Sequence, residues 1–132
     1  MQPIPVEGPD TGAALDACGA PVVASYVLAG GLLTGKYDVD PTAGRAAGTL
    51  DTPAARASLE AARRLRPIAE ALNASPAAVA IACALAHPRV ATALLGATSP
   101  AQLTENVAAL DVLERVGAAE LRALAASLTA PM

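Results

Sequence analysis

Apolar positions along the chain fall into two unbroken runs and several periodic stripes. The runs are PVVASYVLAG at 21–30 and RVATALLG at 89–96; neither alternates with polar residues, which predicts strands covered on both faces. Between them, Leu59, Ala62, Leu65, Ala69 and Leu72 recur at helical spacing, opposite Arg63 and Glu70. Residues 76–86 are apolar almost all round, which predicts a deeply packed helix closed by His87-Pro88. Leu103, Val107 and Leu110 predict a third helix, from about Pro100 to Leu110, with those three facing inward. Leu121, Leu124 and Leu128 mark a last amphipathic helix over about 117–127, and a short helix is expected from Thr11 to Cys18 before the Gly19-Ala20-Pro21 turn.

The boundaries are written in turn chemistry. Thr52-Pro53-Ala54, Ser75-Pro76-Ala77 and Ser99-Pro100-Ala101 each place a hydroxyl N-cap before a proline at the first helical position. The hydroxyl accepts an orphan N–H, and proline gives up an N–H that had no partner. Residues 36–51, KYDVDPTAGRAAGTLD, read as a long polar loop, a length usually reserved for functional segments. Residues 1–10, with three prolines around Ile4 and Val6, read as a frayed strand or a loop; 1–10 and 129–132 are expected to be flexible.

The order β, long loop, α, α, β, α, α implies a parallel pair joined by a right-handed crossover. Such a pair needs cover on both faces and neighbours on both edges, so the chain reads as part of a larger sheet.

Composition narrows the picture. The 132 residues are 54% hydrophobic, with no Phe, no Trp and two Tyr, so the core must be built from small side chains in close contact. A net charge of −3 with scattered arginines gives no basis for nucleic-acid binding. Cys18 and Cys83 lack metal-ligand spacing and are expected as reduced thiols in packing positions, with no metal site. The apolar stretch at 17–35 is interrupted by Pro21 and glycines and does not read as a membrane span; the N-terminus has no leader pattern, and a cytoplasmic protein is expected.

Candidate chemistry gathers where the strands end. Both runs close in glycine and then turn polar: LAGGLLTGK after the first and GATSPAQLTEN after the second. Ligands of parallel α/β folds bind beyond the carboxyl ends of strands, where glycine admits close approach and a helix start favours anions. Lys36, the only lysine in the chain, adds positive charge there.

ASYVLAGGLLTGKY and LLGATSPAQLTENVAAL, together with the intervening RLRPIAEALNASPAAVAIACALAHPRV, resemble the last two βα units of the aldo-keto reductase superfamily, especially the branch related to potassium-channel β subunits. The resemblance runs from about Val22 to Leu113 and implies an α/β fold, a partial (β/α)8 TIM barrel comprising the last two βα units with C-terminal helices. It implies an NADPH-dependent oxidoreductase that reduces aldehydes or ketones by hydride transfer, of which 1–132 is the C-terminal portion.

By position, the resemblance places Ser25, Tyr26, Leu28, Ala29 and Gly30 along the nicotinamide and pyrophosphate, and Lys36 on a cofactor phosphate. It places Gly96 and Thr98 near the adenosine 2′-phosphate, and Gln102, Glu105 and Asn106 around the adenine and its ribose. NADP is favoured over NAD by the lone lysine.

Two departures accompany the match. The family commonly reads aromatic-Ser-Pro-Leu where this chain has Ser25-Tyr26-Val27-Leu28; Tyr26 comes one residue late, which in a strand turns it to the other face, toward the core. A barrel takes about 250 residues, and the family's catalytic Asp, Tyr, Lys and His belong to its first half, so no residue here is assigned a catalytic role.

Plainer readings stand beside these. His87 suits a helix C-terminus; Gln102, three residues after Ser99, suits a capping box. Lys36 also reads as a surface lysine, Glu105 and Asn106 as a solvated helix face, and Gly30, Gly31 and Gly35 as turn formers. For the whole chain the alternatives to a reductase portion are a nucleotide-binding half-barrel that self-associates or assembles through open strand edges, and an inactive fragment. A small carbonyl substrate enters only if a barrel is completed.

Overall fold

The computed structural model describes residues 8–42, 44 and 46–129, so the Ile4/Val6 segment lies outside the described residues. The elements run α1 (Pro9–Cys18), β1 (Val22–Ala24), a 3-10 segment (Ala29–Thr34), α2 (Lys36–Val39), a second 3-10 turn (Ala47–Thr49), α3 (Pro53–Ala71), α4 (Pro76–Leu85), β2 (Val90–Ala93), α5 (Pro100–Val107), α6 (Ala109–Val116) and α7 (Ala118–Thr129). Pro9 and Asp10 thus belong to a helix, as does Thr129.

All three hydroxyl caps form. Thr52 accepts from the Ala55 N–H at 3.2 Å, Ser75 from Ala78 at 3.1 Å and Ser99 from Gln102 at 3.2 Å. Each helix therefore starts where its Ser/Thr-Pro pair stands.

β1 and β2 are parallel and pair Val22 with Val90, Val23 with Thr92 and Ala24 with Ala93, with an irregularity after Val22. Val22 donates to the Arg89 carbonyl at 2.7 Å, and Leu94 donates to the Ala24 carbonyl at 2.8 Å. The strands are far shorter than the apolar runs that announced them, and they are not covered on both faces. α4 packs on β2, but Val23 and Leu94 are more than half exposed. No third strand occurs among the described residues, so neither ladder has a neighbour to extend it.

The core centres on α4, where residues 77–82 are all buried. Around it lie Leu65 and Ala69 of α3, Ala109 and Val112 of α6 and Leu121 of α7. The alanines bring the helices close, and arginines close the helix ends. Arg115 donates to the Leu72 carbonyl after α3 and Arg122 to the Ala86 carbonyl after α4, each at 3.3 Å. Arg64 donates to the Ser127 and Leu128 carbonyls in the last turn of α7. Cations there satisfy orphan carbonyls and oppose the negative end of the dipole.

Three expectations need correction. The stretch 36–51 is not a plain loop: it holds α2 and a 3-10 turn, because Tyr37 is buried with Leu32, Ala46 and Ala55 in a second small core. The helix expected to run from Pro100 to Leu110 breaks at Ala108 into α5 and α6. Its inward face is set by Asn106, Ala109 and Val112, while Leu103, Val107 and Leu110 point outward, each more than half exposed. The leucines mark an apolar face, but the described residues supply nothing to cover it.

Among the described residues no single helix is long and apolar enough to cross a membrane. Both cysteines are free; Cys18 is exposed rather than packed, whereas burial pushes the Cys83 thiol up to about 11.

α1 buries none of its residues. It is tied to β2 by Asp16, which pairs with both terminal nitrogens of Arg89, the Nη2 contact at 3.1 Å. Those hydrogen bonds hold the Asp16 carboxyl below the usual carboxylate range, so the tie is intact at neutral pH and is lost as pH falls through that lowered value. Asp16→Asn should speed amide exchange across residues 9–18 while the global melting temperature barely moves; unchanged exchange there would show that α1 is held by something else. Ile81→Ala, in the centre of α4 at 1% exposure, should destabilise the fold by about 2–5 kcal/mol. Chemical denaturation checks this, and a loss below 1 kcal/mol would mean that α4 is not the centre of the core.

Candidate functional site

Because the strands are parallel and the Leu94–Ala24 hydrogen bond joins their ends, the segments following β1 and β2 leave from one end of the pair. Each carries one group of the residues singled out above.

After β1 the backbone turns left-handed repeatedly: Tyr26 (φ 63°), Ala29 (φ 50°), Gly30 (φ 70°), Gly31 (φ 92°) and Gly35 (φ 78°). Glycine takes such angles freely, whereas tyrosine and alanine are strained in them. Three of the glycines in this region also carry a cation or a polar ring on their bare faces. A Cβ on Gly30 would stand 3.0 Å from the Tyr26 hydroxyl, and one on Gly31 would stand 2.8 Å from the Lys36 Nζ. One on Gly35 would stand 3.2 Å from an Arg66 nitrogen. Gly44, from the next loop, closes over the same ammonium, its Cβ position 2.7 Å from Nζ.

Lys36 itself is exposed at the first position of α2. Its Nζ lies 4.9 Å from the centre of the Tyr37 ring, within cation–π range. Tyr37 locks the arrangement: its buried hydroxyl accepts from the Ala46 N–H at 2.9 Å and approaches the Gly30 carbonyl at 3.5 Å. Asp38 on the same helical turn meets Arg63 and Arg66 of α3, both at 3.3 Å. Arg63 also meets Glu60 at 3.7 Å, so acidic and basic groups interleave at this corner. Tyr37 and Gly44 escaped the sequence reading; the signal available was an aromatic residue inside a polar loop, directly after the lysine.

Tyr26 departs from both of its expected placements. The strand ends at Ala24, so alternation does not decide where Tyr26 faces. The ring is 59% exposed and is not core packing.

After β2, Gly96 and Thr98 are exposed, and Gln102 reaches back so that its Oε1 accepts from the Thr98 N–H at 2.8 Å and the Thr98 hydroxyl at 3.0 Å. This is the capping box shifted by one residue, with the donor at Thr98 instead of Ser99. Glu105 lines an open cleft of about 580 Å³ with Glu70, Asn73, Ser75 and Thr104, while Asn106 is buried at 5% exposure. Gln102, Glu105 and Asn106 therefore have three different surroundings. Asn106 is not part of a solvated face.

The remaining chemistry-bearing residues are structural. His87 accepts from the Arg89 N–H through Nδ1 at 3.2 Å, at the end of α4. No group of three or more metal-ligating side chains occurs among the described residues. What the arrangement can do is hold an anion: an exposed ammonium stands against the glycines of a left-handed turn at a strand end.

Similarity to known proteins extends over most of the chain. A family model described as "Aldo/keto reductase family" matches residues 11–126. The chain is 36% identical over 97 aligned positions to a "Putative voltage-gated potassium channel subunit beta" of Schizosaccharomyces pombe, covering 67% of this chain and 28% of that protein. It is 37% identical over 93 positions to a "Probable voltage-gated potassium channel subunit beta" of Oryza sativa subsp. japonica, covering 65% of this chain and again 28% of the relative. The match thus takes in little more than a quarter of each relative's length. With its parallel βα arrangement and glycine-cradled lysine, the chain, matched by the family model over residues 11–126, belongs to the aldo/keto reductase family.

Proposed function

We propose that the chain forms the cofactor-holding C-terminal portion of an NADPH-dependent reductase of aldehydes or ketones. The observation that carries this reading is the Lys36 ammonium, seated between Gly31 and Gly44 at the carboxyl end of β1. A side chain on either glycine would fill the space around the ammonium, so the cradle suits close approach by a phosphate. Gly96, Thr98 and the capped start of α5 at Ser99 leave from the same end and suit the adenosine side of the ligand. NADPH, when bound, supplies the hydride. This chain's residues bind and orient it: Lys36 neutralises phosphate charge, and the locked Tyr37 keeps the glycine turn in register. On this reading they bind rather than react, and the group that gives a proton to a carbonyl is supplied by another part of the barrel.

A second reading is favoured by one observation, the exposure of large apolar side chains at the strand pair, Val23 and Leu94, and on α5 and α6, Leu103, Val107 and Leu110. A parallel pair left uncovered invites assembly with further strands. On that reading the chain is a nucleotide-binding half-barrel completed by another polypeptide or another copy. Light scattering on the purified chain separates the two: a concentration-dependent dimer supports assembly through these side chains, and a monomer at all concentrations removes self-assembly.

For the cofactor reading, NADPH fluorescence titration of the whole chain should saturate, and Lys36→Ala should weaken binding about tenfold, the loss of one charge-assisted contact. Steady-state assays with aldehydes should show no NADPH oxidation by this chain alone. Absence of saturable binding would sink the cofactor reading, and turnover abolished by Lys36→Ala would overturn the non-catalytic assignment.

A further inference from the structure

α2 is a helix of four residues, too short to hold its own shape, so whatever grips its side chains decides where they point. Successive residues of a helix are turned by about 100° around its axis. Tyr37 faces inward to the second small core, and its two neighbours therefore leave on opposite flanks. Lys36 goes to the bare faces of Gly31 and Gly44, and Asp38 goes to α3.

The α3 flank is held at two points. The Asp38 side chain is only 22% exposed, and its two carboxylate oxygens accept separately from Arg63 Nε and Arg66 Nη2, both at 3.3 Å. The same Arg66 Nη2 stands 3.2 Å from where a Cβ of Gly35 would be. Arg66 thus touches the residue just before Lys36 and the residue two places after it, whereas Arg63 is shared with Glu60. On the glycine side, the Lys36 N–H donates to the Thr34 hydroxyl oxygen at 3.4 Å, and that hydroxyl donates to the Gly31 carbonyl at 2.8 Å. The backbone of Lys36 is therefore tied to the glycine that receives its ammonium. What remains is rotation of α2 about Tyr37, and the Asp38–Arg66 contact opposes it.

We propose that Asp38 and Arg66 are positioning residues: they lock α2 against α3 and so aim the Lys36 ammonium into its glycine cradle. The inference rests on the cofactor reading for what Lys36 binds and adds what directs it there. A carboxylate two residues from the lysine works against an anionic ligand by charge alone. Its role in an anion site is geometric.

That opposition of sign supplies the test. Removing Asp38 would tighten NADPH if only charge mattered, and weakens it if aim is lost. Calorimetry of the whole chain with NADPH is run on wild type, Asp38→Ala and Arg66→Lys, each with Lys36 intact and with Lys36→Ala. Asp38→Ala should weaken NADPH by about two- to fivefold, the scale of a partly exposed ion pair. Arg66→Lys, which keeps the charge and loses the planar fork, should weaken it by about twofold. With Lys36→Ala in place, neither change should weaken binding further. Tighter or unchanged binding in Asp38→Ala, or the same loss with and without Lys36, overturns the proposal and leaves the cofactor reading standing.

A second readout needs no cofactor, because Lys36 is the only lysine in the chain. Its acetylation rate by acetic anhydride, measured against the α-amino group, should rise about two- to fivefold in Asp38→Ala as the ammonium leaves its cradle. An unchanged rate overturns the positioning role. A raised rate in a chain that binds no NADPH supports the positioning role and removes the cofactor reading.

Discussion

The parallel pairing of β1 with β2 is the constraint from which the site follows. Parallel strands must be joined by a crossover, here α3 and α4, and the crossover returns the chain so that both strands point the same way. The hydrogen bond from Leu94 to Ala24 then brings the two carboxyl ends side by side. Were the pair antiparallel, the glycine turn and the start of α5 would stand at opposite ends. α4 packs on β2, and its alanines let α3, α6 and α7 approach closely enough for arginines to reach the carbonyl ends of neighbouring helices.

That arrangement leaves one side unfinished. Helices cover the strands from the α4 side, while Val23 and Leu94 face outward and the leucines of α5 and α6 find no partner among the described residues. Apolar side chains at helical spacing are ordinarily selected by something they pack against. Their exposure agrees with membership of a family whose barrel has more strands than two, and with a match that takes in 28% of each relative.

Within the site, backbone conformation and side-chain chemistry are coupled. Glycines here leave room for functional groups: the Tyr26 ring at Gly30, the Lys36 ammonium at Gly31 and Gly44, and the Arg66 guanidinium at Gly35. Tyr37, buried between Gly30 and Ala46, turns what reads as a flexible loop into a fixed wall.

The sequence by itself determined the elements whose causes are local. The three Ser/Thr-Pro caps, the stripe of α3, the all-round apolar α4 and the glycine turn beside Lys36 were legible because capping, helical periodicity and positive φ depend on a few neighbouring residues. Whatever depends on a partner surface was not. The apolar runs announced strands of eight to ten residues, but ladders extend only where a neighbour pairs with them, and β1 stops after three. Leu103, Val107 and Leu110 marked an apolar face without saying whether anything lies against it; burial went instead to Asn106 and Ala109. Only the tertiary structure decided that Tyr26 leaves the strand for a left-handed turn, since alternation predicts a facing only while the strand lasts, and that decision set the ring beside Gly30.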